Sequence, residues 1–412
     1  MRSLSKSDWT SIEEFAGFCW SVIFKMPLMS YSDADYFIYD EDQTCVNSSY
    51  DLTNRTDEYI AELLTPTYKI VIYVYVLPLV LTLGFIGNSA FIFVIIRLKR
   101  MRTITNFYLL NLAIADISYL LTGVSEKLVR TLSSPIDNDQ GMYGSASCII
   151  IYSLLDASSF ASLFLVTLVT LEKFYAVCYP LKHRRVTGRE RTVKLVALCW
   201  ILACVFASSL IPSYCLMLYA CTVWPEGELY QDFPTRLGGC WPVNDLAVDI
   251  AHGIQTLPFF LVISPNIVMY MKIIATLNNR VAASDEMKNS REKNLRMRNV
   301  VARMLVVNGT LFFILAAPFH VLSLILMAAP LSSNSSDDFY HVLDTLLPFC
   351  QLLLYMNSAI NPFVYSATNA RYRKAYWHAF CLERVKVANC EKDNFLVNPQ
   401  NSARVNTISE AA

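Results

Sequence analysis

Three polar side chains stand where an apolar helix should carry none. Asp116 lies in NLAIADISYLL, Asn88 in GFIGNSAF and Asn361 in SAINPFVY, beside Pro362. An ionisable group at the centre of a membrane helix costs roughly 2.5–3.5 kcal/mol on insertion scales and marks a working site by default. The chemistry open to these groups is hydrogen bonding between helices, which offsets that cost. Plain interhelical glue is the simpler alternative. A second feature is a pair of charges. In LFLVTLVTLEKFYAVCYPLKH, Glu172 and Lys173 interrupt an apolar run. They are either snorkelling to the interface or a working part of the molecule. Enzyme chemistry has no comparable foothold. The chain shows no GxSxG, no HExxH, no paired aspartates at membrane depth, and no CxxC pair or Cys/His cluster with zinc spacing.

The elements that must position these residues are membrane helices. The chain of 412 residues is 54% hydrophobic and 17% charged, where a soluble domain carries about 25% charged residues. About 20 apolar residues span a bilayer. Seven segments qualify: 68–97, 105–130, 148–178, 193–218, 252–277, 300–328 and 342–367. Prolines 78, 212, 258, 265, 318 and 362 fall inside them, which membrane helices tolerate. With 34 basic and 34 acidic residues, nothing favours nucleic acid, but the distribution of charge is informative. RLKRMR and KHRR, with Arg189, Arg191 and Lys194, follow segments one and three. A basic run from Arg280 to Arg298 follows segment five. The alternate loops, such as SSPIDNDQG and WPEGELYQDFP, are acidic or neutral. The positive-inside rule therefore places the N-terminus outside. The sequons at Asn47, Asn54 and Asn334 fall on that same side as glycosylation sites, whereas the NGT at Asn308 lies inside segment six and is discounted. Residues 15–29 are mildly apolar but broken by Lys25, so the first spanning segment is expected to direct insertion.

Five motifs in register now resemble a known family, the rhodopsin-like (class A) G-protein-coupled receptors. They are Gly87–Asn88, LAIAD at 112–116, Trp200, FFILAAPF around Pro318, and NPFVY from Asn361 to Tyr365. The resemblance implies an all-α membrane protein. It would be a seven-transmembrane helix bundle with an extracellular N-terminus and a short cytoplasmic amphipathic helix after segment seven. The parts would be an extracellular tail over 1–67, the bundle over 68–367, a membrane-surface helix over 368–382 and a flexible cytoplasmic tail over 383–412. Tyr372, Ala375, Tyr376 and Ala379 share one side of that surface helix, near Arg371, Arg373 and Lys374. Cys381 at its end is a palmitoylation candidate. Ser402, Thr407 and Ser409 are phosphoacceptor candidates.

The resemblance also assigns roles. Asp116, Asn88, Ser162, Ser358 and Asn361 are similar to the family's buried sodium site, and an all-oxygen shell suits a hard cation. No other cofactor is implied. Cys148 would pair with Cys215, Cys221 or Cys240 of the long loop 213–250. Cys240, closest before segment five and after an expected hairpin, is favoured. Cys199, Cys204 and Cys350 read as small apolar fillers. Glu172, Lys173 and Phe174 occupy the acid–arginine–aromatic motif that meets the G protein, and Asn361, Pro362 and Tyr365 join them in coupling. Lysine keeps the charge of arginine but loses its planar fork. Ala316 replaces the usual tryptophan two residues before Pro318, and Arg298 stands where some relatives place a restraining glutamate. A lock from Lys173 to segment six is therefore not expected, and basal activity should be altered.

Ligand classes can be narrowed on the same ground. Tyr355 stands at the opsin lysine position, so no retinal Schiff base forms. Leu155 stands at the amine receptors' aspartate position, and Asp156 is turned about 100° from it on a 3.6-residue helix. Segments two and six look like those of neuropeptide receptors. Glu126, about 15 Å of helix above Asp116, with Asp156 and Asp344, would make an acidic mouth, lined also by Tyr355, Phe319 and His320. It would suit a basic or amidated peptide. The plainer readings are that Glu126 pairs with Lys127 or Arg130 and that His320 is a core histidine. Tyr31, Tyr36 and Tyr39, among acids, are sulfation candidates in the tail. The expected function is thus a plasma-membrane receptor that binds an extracellular peptide and activates a heterotrimeric G protein. Arrestin, receptor kinases and membrane lipids would be further partners. A weakly signalling scavenger and an amine receptor are the alternatives. A transporter is disfavoured because the halves show no self-similarity.

Overall fold

The computed structural model describes residues 49–282, 290–328 and 337–380. Its long helices are α1 (Thr67–Arg97), α2 (Ile104–Ser133), α3 (Ser145–Cys178), α4 (Arg189–Leu210), α5 (Asp245–Ala282), α6 (Ser290–Ala328) and α7 (Asp337–Thr368). A shorter α8 (Ala370–Phe380) follows, and one-to-two-turn helices cover Asp57–Leu63 and Pro180–Val186. Neighbouring long helices pack against each other in chain order, and α7 closes the ring on α1 and α2. The centre belongs to α3, which touches α2, α4, α5 and α6.

Hydrophobic residues lie on both sides of the wall. Inside, Phe91, Leu109, Leu112, Leu165, Phe259 and Phe313 form one packed core. Outside, Leu79, Ile86, Ile201, Val205, Leu261 and Ile314 are exposed. Apolar patches of this extent need a non-aqueous solvent. Among the described residues, six helices, α1 to α6, are long and apolar enough to cross a membrane. Helix α7 completes the seven-helix bundle but falls short of that apolar measure. Gln351, Asn357, Ser358 and Asn361 interrupt its middle.

Prolines explain two local departures. Pro78 has no N–H, so the ladder before it cannot close as an α-helix. The turn from Val71 to Val76 is a π-helix instead. Pro212 ends the fourth span rather than sitting inside it: α4 stops at Leu210, a 3₁₀ turn covers Ile211–Ser213, and residues 216–218 are already strand.

That strand opens the outer loop. Strands β1 (Ser49–Asp51), β2 (Leu216–Val223) and β3 (Arg236–Trp241) form one sheet in that order. β2 and β3 are an antiparallel hairpin with Met217 opposite Cys240, and β1 lies parallel to β2. A disulfide joins Cys240 to Cys148 on α3 with a Cα–Cα distance of 5.7 Å. Cys221 is itself disulfide-bonded, and Cys215 is a free thiol. The free edge of β3 is occupied by the α2–α3 loop. Gln140 N–H donates to Gly238 O at 2.7 Å, Gly238 N–H to Asp139 Oδ1 at 2.9 Å, and Cys240 N–H to Gln140 Oε1 at 2.8 Å.

Candidate functional site

Three levels of the bundle carry the polar residues. The outermost is a cavity of about 380 Å³, lined by residues of α2, α3, α5, α6 and α7 and by Ser213 and Tyr214 after α4. Glu126, Asp156, Phe319, His320 and Tyr355 all line it. Glu126 is buried and already engaged. Arg130 Nε lies 3.2 Å from one carboxylate oxygen, Lys127 Nζ 3.9 Å from the other, and the Tyr152 hydroxyl donates at 3.4 Å. Tyr143, before α3, donates to the Glu126 carbonyl at 3.2 Å. Its hydroxyl is pushed up to about 12 by burial and by the Glu126 carboxylate. Asp156 hydrogen-bonds the Tyr214 hydroxyl, which also lies 3.2 Å from Ser153 Oγ.

The apolar side of the cavity is aromatic. His320 stacks on Phe259 with centroids 4.2 Å apart and meets Phe319 edge-on. Tyr355 is buried against Tyr119 at 5.2 Å, and a Cβ at Gly123 would come within 2.5 Å of its hydroxyl. Only glycine at 123 admits the Tyr355 ring.

Asp344 stands apart from this group. It pairs at 2.9 Å with Lys69, which also holds Asp137 at 2.7 Å. Lys69 is 3% exposed. Sequence reasoning overlooked it because a lone lysine at the outer edge of a span looks like a snorkelling residue. Tyr214 and Tyr152 were equally unmarked, since tyrosines at a membrane interface are ordinary.

The middle level gathers the buried polar groups. Asn361 Nδ2 donates to Asp116 Oδ2 at 2.7 Å, and Ser162 Oγ donates to Oδ1 at 3.2 Å. Ser358 also hydrogen-bonds Asp116. Asn88 Nδ2 donates to the carbonyls of Gly84 and Ser358 at 3.0 and 3.1 Å. Asp116, Ser162 and Ser358 bring side-chain oxygens together here, and the two asparagines donate N–H groups that hold the set. Nearby, Trp200 Nε1 donates to Asn111 Oδ1 at 3.3 Å, tying α4 to α2. Among the described residues, no cluster of three or more His, Cys, Asp or Glu side chains could hold a metal.

At the cytoplasmic level, Glu172 is buried between a histidine and an arginine of the following elements. His183 Nε2 is 3.5 Å away and Arg191 Nη1 4.0 Å. Lys173 Nζ hydrogen-bonds Thr105 Oγ1 at the start of α2. Phe174 packs edge-on against Tyr175 and Tyr179. The three NPFVY residues do not join this group. Asn361 belongs to the Asp116 cluster, and Pro362 abuts Gly87. Tyr365 packs between Phe91 at 5.2 Å and Tyr372 at 5.9 Å. Tyr372 in turn donates to Asn106 Oδ1 at 2.5 Å, so α8 is docked on α1 and α2. Tyr372, Ala375 and Ala379 are its buried side, and Trp377 is exposed.

Asn54 is exposed ahead of the first short helix. Asn308 is buried within α6. Asn47, Asn334, Cys381, the tail tyrosines 31, 36 and 39, and Ser402, Thr407 and Ser409 lie outside the described residues, as does the Arg298 side chain.

Comparison with known proteins adds the family. The chain is similar to the thyrotropin-releasing hormone receptor of Gallus gallus, 26% identical over 392 residues, covering 89% of this chain and 91% of that one. It is 24% identical to the somatostatin receptor type 2 of Mus musculus, covering 89% and 93%. It is 24% identical to the neuromedin-U receptor 2 of Homo sapiens, covering 78% and 75%. Residues 87–365 match the family described as 7 transmembrane receptor (rhodopsin family). That stretch carries the Asp116 cluster, the disulfide, the outer cavity and the Glu172–Lys173 pair, and the chain is a multi-pass membrane protein belonging to the rhodopsin family of seven-transmembrane receptors.

Proposed function

We propose that this receptor binds an extracellular peptide in the outer cavity and activates a heterotrimeric G protein from the plasma membrane. The N-terminus would be extracellular. The observation that carries this reading is the cavity itself, enclosed by the helices and lined by Asp156, whose carboxylate meets the Tyr214 hydroxyl. The names of the relatives support a peptide, since three of them are receptors for peptide hormones or neuromedin. Asp156 would anchor a cationic or N–H-rich ligand group, with Phe319, His320 and Tyr355 packing on it. Glu126 would hold the wall of the cavity through Arg130, and Asp344 would act at the rim.

Agonist would bind the active arrangement more tightly than the resting one, and that difference would move the helices. Glu172, Lys173 and Phe174 would face the G protein. Asn361, Pro362 and Tyr365 would transmit the change through α7. Asp116, Ser162 and Ser358 fit a sodium ion by their oxygens, positioned by Asn88 and Asn361. A bound sodium would supply positive charge to a buried carboxylate and favour the resting state. Arrestin and receptor kinases would act on the cytoplasmic tail. Asn47, Asn54 and Asn334 would carry glycans, and Cys381 a palmitoyl chain.

The test is G-protein nucleotide exchange with a peptide library. A basic or amidated agonist is expected, and Asp156→Asn should weaken its potency by about tenfold or more, the scale of one charge-assisted contact. Binding without exchange on any G protein would leave a scavenger. An agonist whose potency ignores Asp156→Asn would refute the anchor.

A further inference from the structure

One contact among α3, α5 and α6 lies between the middle and cytoplasmic levels and serves neither. Two hydrogen bonds fasten α5 to α3 about a turn apart. Asn266 Nδ2 donates to Thr167 Oγ1 at 3.3 Å, and the hydroxyls of Tyr270 and Thr170 lie 2.9 Å apart. Thr170 already donates to the Val166 carbonyl at 2.9 Å. It has a single hydroxyl hydrogen, so Tyr270 must be the donor and Thr170 the acceptor. That fixes the Tyr270 ring, which is 6% exposed, pointing across the bundle.

The ring ends against α6 at Gly309. A Cβ at Gly309 would overlap the Tyr270 hydroxyl oxygen and come within 2.6 Å of ring atom Cζ. Helix α6 can therefore seat on α5 and α3 only because residue 309 has no side chain. The position is mid-helix, where glycine costs about 1 kcal/mol relative to alanine. A glycine there lowers helix propensity and gains this seat.

The ionic route is not expected to fill this role. Lys173 reaches Thr105 on α2, and Arg303 of α6 donates to Asn278 of α5 at 3.4 Å. We infer that Tyr270 and Gly309 are positioning residues: the ring of Tyr270, held by Thr170, fits the Gly309 notch as a neutral catch, and the steric fit between positions 270 and 309, rather than the hydroxyl itself, sets how closely α6 closes in the resting receptor. The inference rests on the receptor reading, because it assigns a regulatory consequence to α6 closure.

The experiment uses full-length receptor at matched surface expression. Gly309→Ala should raise ligand-independent nucleotide exchange by about threefold or more, since a two-state balance responds to a fraction of 1 kcal/mol. Gly309→Ala combined with Tyr270→Leu should bring exchange back toward the parent value, because the atoms that the methyl meets are gone. A purely structural lesion would be worsened by the second change. A label pair at the exposed positions Leu181 and Arg303 should report a longer distance in Gly309→Ala and a restored one in the double variant.

Unchanged exchange and distance in Gly309→Ala, or a rise that persists in the double variant, overturns the catch. If Gly309→Ala fails to reach the surface, the double variant must restore display, and failure to do so also overturns it. The label distance needs no G protein, so a chain that couples to none loses the receptor reading while the catch is still decided.

Discussion

Position 173 shows how one side chain can set a threshold. Lysine carries three donors on a single ammonium, whereas arginine offers five in a fixed fork. Lys173 spends one of its donors on Thr105 of α2, and its neighbour Glu172 is flanked by His183 and Arg191. Lys173→Arg adds donors to the same resting surroundings, so basal exchange should fall by about twofold or more, in the range of a single added hydrogen bond. An unchanged basal rate at equal surface expression would remove position 173 from the resting balance. Single residues were legible where their chemistry clashed with their setting. Asp116, Asn88 and Asn361 were visible as polar groups in apolar helices, and the geometry joins them. The plainer reading of Glu126 as the partner of Arg130 and Lys127 matches its geometry. Lys69 was not legible, because its partners are 68 and 275 residues away in the chain. No local pattern encodes such a pairing.

Elements were legible to the extent that one physical term decided them. Hydropathy located the seven spans but misplaced the end of the fourth. The fourth segment was carried into β2 because LMLYACTV is as apolar as a helix. The seventh forms its helix as expected, although its polar middle lowers its hydropathy. The hairpin was expected in the loop before segment five, but its docking on the α2–α3 loop was not, because that depends on two glycines meeting. A Cβ at Gly238 would come within 2.6 Å of the Gly141 Cα, and backbone cannot swing aside. Gly238→Ala should therefore destabilise the outer loop by about 1–3 kcal/mol, as overpacking does. Thermal denaturation and agonist affinity should both report the loss. The adjacent Gly239→Ala is the control. Its Cβ would meet only the Trp241 side chain, so a milder effect is expected. Equal effects of the two would refute the contact.

At the scale of the molecule, Lys69 ties three parts of the outer rim. It belongs to α1, Asp137 to the α2–α3 loop and Asp344 to α7. Backbone bonds reinforce the join, from Thr65 N–H to Pro135 O and from Asp137 N–H to Leu63 O, both 2.9 Å. Asp344 is more than half exposed, so the pair with it is screened and worth less than the one with Asp137. Lys69→Met keeps the stem volume and removes both ion pairs. It should cost about 1–3 kcal/mol, chiefly from leaving Asp137 unpaired. A fall in Tm of the purified receptor by several degrees would register it, and an unchanged Tm would show the rim to be held otherwise.

The π turn in α1 bears on how positions are matched between relatives. Nineteen residues separate Lys69 from Asn88. On an uninterrupted α-helix that count turns Lys69 about 100° away from the Asn88 direction. Yet both side chains are buried, because the wide turn from Val71 to Val76 takes up the difference. Any scheme that numbers α1 outward from Asn88 loses phase at that turn. A relative lacking a proline at the position of Pro78 would present a different residue at the same number. Equivalence beyond the turn must be assigned by which side chain reaches α7, and a lysine one place out of step in an alignment can be the true counterpart of Lys69.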